Sequence, residues 1–528
     1  MDETTQTQAG ACCGVSACCT DAEQAVDPAT TVHQAKTDAG CGCLHDRDEE
    51  PPVVVVGAGP VGLAAASHLA ERGLPFVVLE AGEQVGAAVA AWGHVRLFSP
   101  WRYDIDAAAR RLLEPTGWVA PSDDALPTGA ELVRDYLAPL AAVPALADRI
   151  RTRTRVIAIT RDGVDVTRTI GRDDRPLLVR TVTADGAYED LRARAVIDAS
   201  GTWGRPNPLG HSGLPAPGEE QAARYITGPL PDVLGRDRDR FASKHTLVVG
   251  MGHSAANTLL DLAELAAHTP GTRITWAVRG ASVARLYGGG DADGLPARGA
   301  LGSRLKQAVQ SGAIDLVRGF SITRLATPDG DGPVQVTGRT PDGERTLTAD
   351  TVVAATGFRP DLDMLREVRV ELDRATEAPV KLAPLIDPNF HSCGTVPPHG
   401  ERELAHPEQG FYLAGMKSYG RAPTFLLATG YEQVRSIVAA LAGDRQAADT
   451  VHLDLPETGV CSTDLPTEDE AGGCGTSCST QPTDAAAEQN EGCCGASAPQ
   501  PVSLTVGGLG FATGHVHGYS GEIAHTDA

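Results

Sequence analysis

A chain of 528 residues with 42% hydrophobic content is long enough for two or three domains, and 4% aromatics leave Val, Leu, Ile and Ala to build the cores. Its formal charge of −23 argues against a nucleic-acid partner. It has neither the unbroken apolar length of a membrane span nor a basic start followed by an apolar run, so the expectation is a cytoplasmic protein with no membrane partner.

Residues 1–50 hold ten acidic and two basic residues, and residues 451–528 hold eleven acidic and no basic ones. Cysteine follows the acid: six of the twelve lie in 1–50, five lie beyond 450, and only Cys393 falls between. Both ends lack apolar periodicity, so disordered tails are expected around an organised stretch, 51–450. Cys12-Cys13, Cys18-Cys19 and Cys493-Cys494 are adjacent pairs, and neighbours in sequence form a strained disulfide with each other. As thiols they suit soft ions such as arsenite, mercury or copper(I). A mobile dithiol that carries electrons, a zinc site and an inert tail are the other readings. CxC (41–43) and CxxxC (474–478) spacings fit zinc poorly.

The organised stretch opens on "PPVVVVGAGPVGLAAASHLAERGLPFVVLEAG" (51–82). The unbroken Val53–Val56 run predicts a buried parallel strand. It ends in Gly57-Ala-Gly59-Pro60-Val-Gly62, and a helix follows. Gly57 allows a sharp turn, Gly59 lets the backbone approach a pyrophosphate, and Gly62 lets helix and strand pack closely. The helix start aims free N–H groups at phosphates. A second strand, 76–79, ends in Glu80, placed to accept from a ribose 2′-hydroxyl.

The logic recurs in "HTLVVGMGHSAANTLLDLAEL" (245–265), with Gly250-Met-Gly252-His253-Ser254-Ala255 after a strand at 246–249. The next strand, 273–278, ends in Arg279 where the first unit has an acid. An acid repels a 2′-phosphate and a guanidinium pairs with it, so Glu80 points to FAD and Arg279 to NADPH. Arg279 as a plain surface residue stays open, and Arg285 could share its task. His253 reads as cofactor-contacting or exposed. Two dinucleotide sites imply hydride transfer from nicotinamide to flavin.

Four blocks in order, "GAGPVG", "VIDASGTWGRPNP" (196–208), "GMGHSAAN" (250–257) and "VVAATGFRPD" (352–361), resemble those of the two-dinucleotide-binding flavoproteins, the group of thioredoxin reductases and class B flavin monooxygenases. The resemblance implies an α/β fold of two Rossmann-like domains. An FAD domain (51–208 and 357–450) is interrupted by an NADPH domain (209–356), and small residues and glycines at Ser200-Gly201 and Thr356-Gly357 mark the crossings. "GFYLAGMKSYGRAPTFLLATGYEQVRSIVAAL" (410–441) looks like the closing FAD segment, with Gly415 at the cofactor and a helix from about Thr429. Many relatives carry Asp directly after that AG; here Met416 stands there.

Stretches 83–101 and 209–350 contain no cysteine, so the dithiols of the group's reductases are absent from both. Residues 86–100 resemble the Gly/Trp segment of monooxygenases, which implies Trp92 near the flavin, with plain core packing the open alternative. The fingerprint F-x-G-x-x-x-H of the mammalian-type subgroup is missing between Trp203 and Lys244. The chain and its tails together look like flavin monooxygenases of bacterial arsenic-resistance operons. That resemblance implies an NADPH-oxidising, monooxygenase-like enzyme acting on a small molecule, with no catalytic side chain named. Cys12, Cys13, Cys18, Cys19, Cys493 and Cys494 would take the metalloid. A thiol/disulfide or metalloid reductase using the tail cysteines as a shuttle is the alternative, and a homodimer stays open.

Overall fold

The structure is a computed structural model that describes residues 50–288, 293, 295–327, 332–388, 396–422 and 425–453. All twelve cysteines lie outside these ranges, as do the expectations placed on the tail cysteine pairs.

Val53–Val56 is buried at every position, as a β-branched strand covered on both faces should be. It pairs in parallel with Phe76–Leu79 on one side and Ala195–Asp198 on the other. Phe411–Leu413 lies outside Ala195–Asp198, and Ile150–Arg151 outside Phe76–Leu79, giving a five-stranded parallel sheet. The second sheet has the same plan. His245–Val249 lies between Arg273–Ala277 and Thr351–Ala354, with Asp315–Val317 and Ile226–Thr227 at the edges.

In each unit the chain makes an antiparallel three-stranded excursion before returning to the strand beside its glycine loop. In the first it runs through Thr154–Arg161, Leu177–Thr183 and Tyr188–Ala193. In the second it runs through Ser321–Ala326, Val334–Thr340 and Gly343–Ala349. Neither meander is part of the sequence reading above.

Helix Pro60–Glu71 is buried along most of its length because it lies between the first sheet and helix Leu427–Leu441. Its Ala64-Ala65-Ala66 run keeps that layer thin. The closing helix starts two residues earlier than expected. Helix His253–His268 buries Ala255, Ala256, Leu259 and Leu262 on one face, the spacing of a surface helix on a sheet.

The two crossings between units run side by side. Asn207 N–H donates to Gly357 O at 2.9 Å and Arg359 N–H to Arg205 O at 3.0 Å. Thr356 Oγ1 donates to Asn207 O at 2.6 Å. Arg205 spans the pair to reach Asp361 at 2.9 Å and also bonds Asp363. Among the described residues no helix is long and apolar enough to cross a membrane.

Candidate cofactor site

The glycines of the first loop divide the work as their neighbours dictate. Gly57 has φ +95°, and a Cβ there would sit 2.9 Å from Ala199 O. A Cβ at 62 would meet Gly57 O at 1.9 Å, so helix and loop touch through backbone alone. At Gly59 nothing lies within 4 Å of that position, which leaves an open face for an incoming group. Gly59 is also the N-cap of Pro60–Glu71 and has no side chain to bond the helix's free N–H groups, so these stay available to an anion.

The second loop repeats the arrangement. Gly250 (φ +133°) presses on Ala355 O, which a Cβ would approach to 2.0 Å, and Gly252 has nothing within 4 Å. Ala199 and Ala355 each stand directly before a crossing pair, Ser200-Gly201 and Thr356-Gly357. Each donates its N–H to the last strand residue before the loop, Val56 at 3.0 Å and Val249 at 2.9 Å. The four blocks are thus two contacting pairs. Ser254 is half-buried at the start of the helix, and Ala255 is buried beneath it.

A cavity of about 410 Å³ opens on the first loop. Its wall runs from Glu80 past Gly57, Gly59, Pro60 and Val61 to Ser200, Gly201 and Arg205, and ends at Gly415, Met416, Lys417 and Leu427. Leu427 is the first residue of the closing helix, so a second helix start without a side-chain cap reaches the same space. Arg155, unremarked in the sequence reading, adds an exposed cation to the wall. Open glycine, bare helix starts and cations fit an anionic dinucleotide.

Glu80 does more than wait for a ribose. Its carboxylate accepts from Ala58 N–H at 2.8 Å and from Gly82 N–H at 2.7 Å, so it also ties the loop to the turn after the second strand. Trp92, expected near the flavin, is not among the residues around this cavity. Its ring lies against Gly129, where a Cβ would come within 2.8 Å of it, and it packs on the edge of the main core.

Arg279 is exposed two residues beyond strand Arg273–Ala277 and donates to His211 O at 3.1 Å. His253 opens the second helix with its ring 5.2 Å from that of Phe98, a contact between the two units. Burial, with Arg298 second, lowers its pKa to about 4, so the imidazole is neutral at pH 7.

The largest departure from the sequence reading lies beneath the cavity wall. Lys417 Nζ bonds Asp198 Oδ2 at 2.6 Å, and both side chains are fully buried. Behind it, Gly415 N–H donates to Gln433 Oε1 at 2.7 Å, and Gln433 Nε2 lies 2.9 Å from His399 Nε2 and 3.0 Å from Ser418 Oγ. A lysine in the apolar run "FYLAGMKSYG" was the available signal.

The chain is 35% identical over 164 residues to the thiamine thiazole synthase of Archaeoglobus fulgidus, covering 29% of this chain and 56% of that protein. It spans about half the length of the curated relatives it matches. Two solved structures share its fold. One is the bacillithiol disulfide reductase Bdr (YpdA) from Bacillus cereus, with TM-score 0.55 and 19% identity over 74% of this chain and 99% of that one. The other is DfoA, the cadaverine monooxygenase of Erwinia amylovora, with TM-score 0.54 and 13% identity over 80% and 99%. Residues 54–383, which carry all four blocks, match the pyridine nucleotide-disulphide oxidoreductase family, and the chain belongs to it.

Proposed function

We infer that the protein is a monooxygenase-like enzyme that spends NADPH and dioxygen on a small molecule, and that its tail cysteine pairs bind a trivalent metalloid such as arsenite. One observation carries the oxygenase part. The family match, 54–383, contains no cysteine, although the family is described by disulphide chemistry. Without a dithiol in that stretch, electrons leaving the flavin need another acceptor, and dioxygen is the general one. The overall change consumes NADPH, a proton and dioxygen, places one oxygen atom on the substrate and releases the other as water.

In this reading FAD lies in the 410 Å³ cavity. Gly57, Gly59, Pro60 and Gly62 hold its pyrophosphate, Glu80 its ribose, and Gly201 and Gly415 the remainder. NADPH lies on Gly250, Gly252, Ser254 and Ala255, with Arg279 on its 2′-phosphate and Thr356-Gly357 at the crossing. The domain division is that of the sequence, with the NADPH unit at 209–356. Bound flavin supplies the electron chemistry, and the chain orients the dinucleotides and keeps water out. The compartment in this reading is the cytoplasm.

The disulphide-reductase fold neighbour and the family description favour a second reading, a thiol/disulfide or metalloid reductase that passes electrons through tail cysteines. Product analysis decides between them. Full-length protein with NADPH is offered candidate metalloid and thiol substrates in air, with oxygen uptake and hydrogen peroxide measured. The oxygenase reading expects oxygen uptake to match NADPH oxidation, and it fails if turnover requires a disulfide or arsenate acceptor and proceeds equally without oxygen.

A further inference from the structure

Asp198 ends the strand beside Val53–Val56, one residue before the carbonyl that presses on Gly57. Its Oδ1 accepts from Ser200 Oγ at 2.6 Å and from Ser200 N–H at 3.1 Å, and its Oδ2 accepts from Lys417 Nζ at 2.6 Å. Lys417 Nζ also donates to Ser200 Oγ at 3.1 Å, which closes a three-membered ring. Asp198 and Lys417 are wholly buried, whereas Ser200 is exposed on the cavity wall.

A buried ion pair gains little over well-packed apolar residues, but losing one partner leaves an uncompensated charge in low dielectric. The sign of that charge matters here. The nearby wall offers bare helix starts and the open face of Gly59, all suited to an anion. A naked carboxylate under that wall would oppose the anion the loop is shaped to hold. We propose that Lys417 is a positioning residue for FAD: its buried ammonium cancels the charge of Asp198, so that the anionic dinucleotide is not repelled. This rests on the reading of the cavity as the FAD site.

The test is FAD titration of full-length protein after flavin removal, read by flavin fluorescence, with NADPH binding at the second loop as the control for folding. Lys417→Met, which leaves a net negative charge, is expected to raise the FAD Kd at least ten-fold. Asp198→Asn and the double variant Asp198→Asn/Lys417→Met are expected to stay within three-fold of the parent. The proposal is overturned if Lys417→Met also stays within three-fold, or if both single variants lose affinity alike and the double variant recovers none. Should Lys417→Met fail to bind NADPH, the double variant and Lys417→Arg still decide, because loss of FAD in either folded variant overturns the proposal. A parent protein that binds no FAD overturns the cavity assignment instead.

Discussion

Gly59 and Gly62 stand three residues apart, yet a methyl group means something different at each. At 62 it would collide with the backbone oxygen of Gly57, whereas at 59 it meets only open space. Gly62→Ala is expected to lose about 1–3 kcal/mol of stability together with its flavin. Gly59→Ala should stay within about 1 kcal/mol of the parent, the cost of Ala at an N-cap, yet hold FAD more weakly. Urea unfolding paired with flavin content separates the two. Arg279→Ala is expected to lower kcat/KM for NADPH about ten- to a hundred-fold, the worth of a charged hydrogen bond, and to leave NADH unaffected; steady-state kinetics with both cofactors checks it. Asp104 is fully buried, and Oδ2 has no partner among the described residues. Burial raises its pKa from 3.8 to about 7 against the opposing bond from Ser99. The folded chain therefore keeps a proton that the unfolded chain releases. This contribution is complete below pH 4 and is lost as pH climbs through 7. Asp104→Asn, neutral throughout, is expected to gain stability over the parent at pH 8 by about 2–4 kcal/mol and much less at pH 5, as thermal unfolding at the two pH values would show.

Among elements, the strands that flank the two glycine loops, Val53–Val56, Phe76–Leu79, His245–Val249 and Arg273–Ala277, were legible as short apolar runs, the pattern that burial on both faces demands. The meanders were not. Strand Thr154–Arg161 shifts register between Val156 and Ala158, and Ser321–Ala326 shifts between Ile322 and Arg324. An irregularity of that kind moves the inward set by one residue and breaks the period of two on which the sequence signal depends. The first meander is also locked by a contact that no local pattern announces. Glu408 is buried between Arg161, whose Nε lies 2.6 Å away, and Arg172, whose Nη2 lies 2.8 Å away, and it also accepts from Arg369 N–H at 3.0 Å. It joins the meander, the 162–176 loop and the approach to strand Phe411–Leu413. Glu408→Gln leaves both guanidinium groups without a counter-charge and is expected to cost about 3–5 kcal/mol, read as a lower urea midpoint with an unchanged slope.

At the scale of the whole molecule, a charged and cysteine-bearing pair of ends flanks an organised stretch whose family match has no thiol. Serine at 12, 13, 18, 19, 493 and 494 together is expected to weaken arsenite binding by the full chain while NADPH oxidation stays within about two-fold of the parent, a change too small to register as lost transition-state stabilisation. Parallel metalloid titration and oxygen-uptake assays check this, and loss of turnover would favour the electron shuttle. Within the organised stretch, the linear chain by itself determined two dinucleotide loops, their flanking strands and helices, and the acid and the arginine that distinguish them. These follow from backbone sterics and periodicity within about thirty residues. Only the tertiary structure decided that each first glycine bears on the carbonyl before its crossing motif, and that Lys417 finds Asp198 across 219 residues of chain. Such pairings carry no local signature, because their stability comes from excluding water between segments that meet only once the sheets are complete.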